Sequence, residues 1–227
     1  MANHNTRKED IKQMCLELGA DLVGVAAASL FKDAPAGYHP TDVLPGCQSV
    51  VVLCCEFPKD AIPRGAAAYT QTRNDMTEKM SRMAEGAARQ IKAMGFEAAP
   101  VKAITATSDN GRFRGPISLK HAAELAGLGK IGKNTLLVND LYGNMIWLSA
   151  VCASVPLESA PPAAYALCGT ECDACARHCP AKALKGPLMN QRACYAHAFK
   201  TIEGKLEIQC WACRQICPHH LGKKNGP

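Results

Sequence analysis

The chain has 227 residues, 48% hydrophobic and only 5% aromatic, with 26 Lys and Arg against 20 Asp and Glu, and 13 cysteines. That much apolar sequence supports the core of one large domain, or of a domain with a small appendage, and excludes disorder, collagen and coiled coil. The longest apolar runs, 49–55 and 145–153, fall well short of the roughly 20 residues of a transmembrane helix.

The polar first ten residues hold neither an apolar signal core nor a twin-arginine pair, so a cytoplasmic address with no membrane attachment is expected. Ile11, Met14, Cys15 and Leu18 then recur at helical spacing up to Gly19. Residues 20–26 read as a buried strand and the valine-rich run 49–55 as a second. Met76, Met80, Met83, Ala84, Ala87, Ile91 and Met94 form the apolar stripe of a long helix stopped by Gly95, a spacing of core packing rather than of soft metal ligands. Strand-like runs follow at 96–105, 134–139 and 145–153, with a short helix near 119–126. Residues 1–160 are thus expected to form a mixed α/β layer domain. Pro161-Pro162 marks a boundary, after which residues 161–227 form a cysteine-rich module.

Eight of the 13 cysteines lie in that module. The other five include Cys15, Cys54 and Cys55, which sit among apolar residues and read as buried thiols. An odd total without a secretion signal argues against a disulfide framework and for metal ligation. The first group runs Cys168, Cys172, Cys175, Cys179-Pro180, and the second Cys194, Cys210, Cys213, Cys217-Pro218. Both end in C-x2-C-x3-C-P, the close of the bacterial ferredoxin run whose last cysteine ligates the other cluster. Two crossed [4Fe-4S] clusters follow, one on Cys168, Cys172, Cys175 and Cys217, the other on Cys194, Cys210, Cys213 and Cys179. The competing reading is a pair of structural zinc sites, because C-x2-C pairs also make zinc knuckles. Zinc requires neither the proline endings nor a remote fourth ligand. One departure is the three residues, rather than two, between Cys168 and Cys172. Trp211, between two expected ligands, is placed to shield a cluster from water, whereas His219 and His220 read as a solvated tail.

The segment Gly127, Leu128, Gly129, Lys130, Ile131, Gly132, Lys133, Asn134, Thr135 matches G-x-G-x-x-G and nearly matches the P-loop. Both motifs follow a strand and open a helix. Here the order is helix then strand, which argues against a nucleotide. The glycines still imply close backbone approach or positive φ, and a cationic, backbone-lined loop suits a large cofactor with polar edges. His121, on the helix before the loop, is a candidate proton donor, though a histidine there also suits a polar helix face.

The eight cysteines, AGLGKIGKNTLLVN (126–139), LGADLVGVA (18–26) and LPGCQSVVVL (44–53) together resemble the epoxyqueuosine reductase family. The resemblance implies a nitroreductase-like α/β domain holding base-off cobalamin, joined to a bacterial ferredoxin-like module with two [4Fe-4S] clusters, an architecture shared with reductive dehalogenases. It implies an external electron donor such as flavodoxin or ferredoxin, and it places the 127–135 loop around the corrinoid. The family's aspartate proton donor lies three residues before a proline and thirteen before the alanine of AGLG, and that position here is Phe113. Phenylalanine delivers no proton; Asp109, four residues earlier, is the nearest acid that a rearranged loop would bring in. The longer queuosine enzymes carry a helical-repeat extension that helps grip tRNA, whereas ten residues follow Cys217 here.

The leading expectation is therefore an iron-sulfur reductase or electron-transfer protein that passes electrons to a bound corrinoid or a small-molecule substrate. A non-catalytic carrier or a reductase serving another corrinoid protein comes second, and a tRNA epoxyqueuosine reductase third. A cubane with four thiolates carries about −2, so two of them lower the formal +6 to about +2. The basic balance then reads as compensation for cluster charge more than as a nucleic-acid surface.

Overall fold

In the computed structural model, residues 2–104, 107–109, 112–165, 167–185 and 188–225 are described, with the side chains of 7–104, 113–165, 167–185 and 189–224. Helix α1 (Ala2–Glu17) leads into β1 (Leu22–Ala27), α2 (Pro40–Val43) into β2 (Ser49–Glu56), and the long α3 (Ala66–Ala93) into β3 (Ala98–Val101). The pair β4 (Thr107–Asp109) and β5 (Arg112–Arg114) precedes α4 (Leu119–Leu125). The hairpin of β6 (Lys130–Ile131) and β7 (Leu137–Val138) follows it, and then β8 (Ile146–Ala153). The cysteine-rich segment adds α5 (Ala174–Arg177), β9 (Leu184–Lys185), β10 (Leu188–Met189), α6 (Gln191–Ala198), β11 (Phe199–Ile202), β12 (Lys205–Ile208), α7 (Ala212–Gln215) and α8 (Gly222–Asn225).

The mixed α/β expectation for the first part holds. A four-stranded sheet of order β1-β2-β8-β3, antiparallel at every pairing, lies between two helical layers. Val51, Leu53 and Cys55 of β2 join a core with α1 and α3, and Val50, Val52 and Cys54 join a second core with α4. A strand covered on both faces has no polar side to alternate with, which is why 49–55 reads as one unbroken apolar run.

Three boundaries differ from the sequence reading. Helix α3 begins at Ala66 rather than near Met76 because its first turns face the cysteine-rich segment and not the sheet: Tyr69 stacks on Trp211 at 4.7 Å, and the Ile208 N–H donates to Thr70 Oγ1 at 2.8 Å. No sheet-facing stripe marks those turns. The run 96–105 shrinks to Ala98–Val101, an edge strand holding Pro100, which has no N–H for the ladder. The run 134–139 shrinks to Leu137–Val138 because Thr135 takes φ 60° and turns the chain back toward Gly132.

Ile208, with Phe199, Trp211 and Leu221, packs against the same core as α3, so the cysteine-rich segment is built onto that helix. Among the described residues no helix is long and apolar enough to cross a membrane.

Candidate functional site

The eight cysteines of the segment separate into two spatial groups. Burial raises the Cys217 thiol, and the nearby Cys168 and Cys175 raise it further. Cys175 is raised in turn by burial and by Cys168 and Cys172. In the other group burial raises Cys194, with Cys179 and Cys210 beside it. Burial pushes Cys213 up to about 11, aided by Cys194, Cys210 and Cys179 and opposed by the Arg214 guanidinium. Each group therefore takes three cysteines from one half of the segment and one from the other.

The local fold explains the grouping. Helices α5 and α7 each form a single turn inside a C-x2-C-x3-C run, carrying Cys175 and Cys213, and the chain turns away at the following proline. Cys179, Cys194, Cys210 and Cys213 line one cavity of about 250 Å³, closed by Pro180, Trp211, Tyr69 and Phe199. Backbone amides aim at sulfur in both groups, from Ala183 to Cys179 Sγ at 3.3 Å and from Lys133 to Cys168 Sγ at 3.4 Å. Thiols that share a cavity with N–H donors are a donor set that fits a metal-sulfur core. Among the described residues no three His, Cys, Asp or Glu side chains gather tightly enough for a single metal ion.

The glycine loop lies against these groups. Lys133 Nζ donates to the carbonyls of Gly169, Thr170 and Cys172, each at 2.9 Å. The residue that lengthens the spacing between Cys168 and Cys172 thus belongs to a turn whose carbonyls converge on an ammonium. Asn134 Nδ2 donates to the Cys213 carbonyl at 3.3 Å, and Asn134 and Thr135 border the cysteine cavity. Lys130 lies over the Tyr165 ring at 5.9 Å. A Cβ at Gly127 would collide with the Pro161 carbonyl, and one at Gly129 with the Val138 carbonyl. The close backbone approaches implied by these glycines are therefore met within the chain itself.

A larger cleft of about 780 Å³ opens between α4 and the loops before β2 and after β3. It is near the upper end of the volumes that enclose drug-sized ligands. Ile104 borders both this cleft and the cysteine cavity, whereas none of residues 127–135 lines it. His121 does line it, with Nδ1 at 2.7 Å from Ser118 Oγ. The Asp109 side chain lies outside the described residues, and its backbone belongs to β4. Phe113 borders the cleft and stacks on Tyr195 at 4.8 Å, and Tyr195 stacks on Phe199 at 4.5 Å. Gln191 bonds both backbone groups of Phe113, accepting from its N–H at 3.1 Å and donating to its carbonyl at 3.2 Å. The position of the family's aspartate is thereby clasped to the helix that carries Cys194.

Three polar residues of this region escaped the sequence reading. Lys120 lines the cleft and donates to the Thr135 carbonyl; burial lowers its pKa, and the Cys213 thiol acts in the opposite direction. Gln191 and Arg214 also emerge only from three-dimensional contacts, because neither belongs to a recognisable motif. His220 is no solvated tail. It is half-buried beside Asn144, with Nδ1 at 3.4 Å from Asn144 Oδ1, and the Asn144 N–H donates to its carbonyl at 3.1 Å.

No family model matches the chain. An epoxyqueuosine reductase of Pseudomonas aeruginosa is 26% identical over 257 residues, an alignment covering 92% of this chain and 68% of that protein. The solved structure of an epoxyqueuosine reductase with an epoxyqueuosine-modified tRNA-Tyr stem loop superposes with TM-score 0.67 at 21% identity, covering 98% of this chain and 67% of that one. A reductive dehalogenase structure described as suggesting a mechanism for B12-dependent dehalogenation superposes with TM-score 0.69 at 20% identity, covering 94% of this chain and 32% of that one. At those identities the two structures establish a shared fold. Across nine-tenths of its length the chain is thus similar in sequence to epoxyqueuosine reductases, and it shares its fold with them and with a reductive dehalogenase.

Proposed function

We propose that the chain is a reductase of the epoxyqueuosine reductase type, in which two [4Fe-4S] clusters feed electrons to a corrinoid over the larger cleft, with an epoxyqueuosine-modified tRNA as substrate. The relatives favour this reading over a generic electron carrier, since the matched proteins are named for that reaction. The observation that carries it is the gathering of Cys179, Cys194, Cys210 and Cys213 around one cavity that shares the Ile104 wall with the cleft.

In this reading Cys168, Cys172, Cys175 and Cys217 hold the first cluster, and the cavity cysteines hold the second. Both would supply one-electron transfer when bound. Trp211 and Phe199 exclude water from the second, and the Ala183 amide supports the Cys179 sulfur. The cleft offers Tyr38 and Ile117 as flat and apolar walls, with Arg114, Lys120 and His121 as polar edges suited to the amide-bearing rim of a corrinoid. His121 is the candidate proton donor at the cleft, with Nδ1 within hydrogen-bond distance of Ser118 Oγ.

A second reading, reduction of a different substrate or service to another corrinoid protein, is favoured by Phe113, which brings an aromatic ring to the place of an acid. One set of assays separates them. Anaerobically purified protein with iron and sulfide is mixed with cobalamin and then with epoxyqueuosine-containing tRNA under reducing conditions. A perturbed cobalt spectrum followed by conversion to queuosine supports the first reading. The same spectrum without conversion supports the second, and no cobalamin binding contradicts the corrinoid assignment.

A further inference from the structure

Arg214 is the one arginine with a buried side chain among the described residues, 6% exposed. Its Nη1 donates to the Asn144 carbonyl and lies 3.8 Å from Met145 Sδ, while its guanidinium carbon stands 5.6 Å from the centre of the Phe57 ring. None of the ion pairs among the described residues includes it. A buried guanidinium with a carbonyl, a thioether and an aromatic face around it, and no carboxylate in ion-pair reach, has lost hydration without gaining a counter-ion, an arrangement that is unfavourable unless a negative charge lies nearby. The missing charge has an evident source. Arg214 lines the cavity of Cys179, Cys194, Cys210 and Cys213, where a cubane with its four thiolates would carry about −2.

We propose that Arg214 is the internal counter-cation of that second cluster and sets its reduction potential. The inference rests on the cluster reading above. Reduction adds one electron to the cluster and changes no bond to Arg214, so the fixed cation stabilises the more negative, reduced state and raises the potential. A higher potential at the cluster beside the cleft would draw electrons there from the cluster of Cys168, Cys172, Cys175 and Cys217.

The test is an EPR-monitored redox titration of the reconstituted full chain, reduced stepwise with dithionite, for wild type, Arg214→Met and Arg214→Lys. The expected result is a negative shift of one midpoint in Arg214→Met, a smaller shift in Arg214→Lys, and the other midpoint unmoved in both. Loss of one cluster in Arg214→Met with retention in Arg214→Lys also supports the role, because charge is what the second variant keeps. Midpoints unchanged in Arg214→Met overturn it. Equal loss of the cluster in both variants overturns it too, since packing of the guanidinium plane would then be what holds the site. Wild-type protein without iron and sulfide would instead defeat the cluster reading, a failure visible before any variant is titrated.

Discussion

The molecule holds cysteines in two environments, and their contrast separates packing from chemistry. In the sheet layers Cys15, Cys54, Cys55 and Cys152 are 0% exposed and Cys47 is 6% exposed, all within the apolar cores, where Cys47 and Cys152 are hydrogen-bonded to each other. Burial alone pushes Cys15 up to about 12, so it remains a neutral thiol. In the cysteine-rich segment seven of the eight are partly exposed, face one another in groups, and in two cases accept backbone N–H bonds at sulfur. The same side chain is a small hydrophobe in one region and a member of a gathered thiol group in the other. Partners decide which, not residue type.

Substitutions can break this contrast or sharpen it. The largest expected effect is Cys213→Ser, which should remove one cluster and about half of the iron and sulfide, read by metal analysis and EPR. Next, Met80→Ala empties a fully buried position of α3 and should cost about 3 kcal/mol in chemical denaturation, with iron content per folded chain unchanged. Gly129→Ala places a methyl group against the Val138 carbonyl and should cost about 2 kcal/mol. Because this loop touches both cysteine groups, it should also slow cluster reconstitution, which a core defect such as Met80→Ala should not. Gln191→Ala removes both bonds to the Phe113 backbone and should cost about 1 kcal/mol, read as faster amide exchange at Phe113. Of similar size, Cys54→Ala should cost about 1 kcal/mol and leave iron and sulfide untouched; loss of either would place a working thiol in the sheet.

The legible parts of the sequence share a physical cause. Strand β2 and the methionine face of α3 were readable because each buries a whole face against one neighbour, and that burial leaves a period. The grouping of the cysteines was readable because the C-x2-C-x3-C-P spacing folds each run into one short turn that brings its thiols together. What stayed hidden depends on contacts distant in sequence. The first turns of α3 show no stripe because Tyr69 and Thr70 pack on Trp211 and Ile208. The glycine loop resembles a cofactor cradle, yet its lysine and asparagine bind carbonyls of residues 169–172 and 213, and no local pattern reveals a partner so far along the chain. Phe113 was identified by position, but its clasp by Gln191 and its stacking on Tyr195 needed the fold.

The most direct test of the account is iron, acid-labile sulfide and zinc analysis with Mössbauer spectroscopy on anaerobically purified full chain. Two [4Fe-4S] clusters per chain are expected, with iron and sulfide in equal amounts. Two zinc ions per chain, with no sulfide, would contradict it.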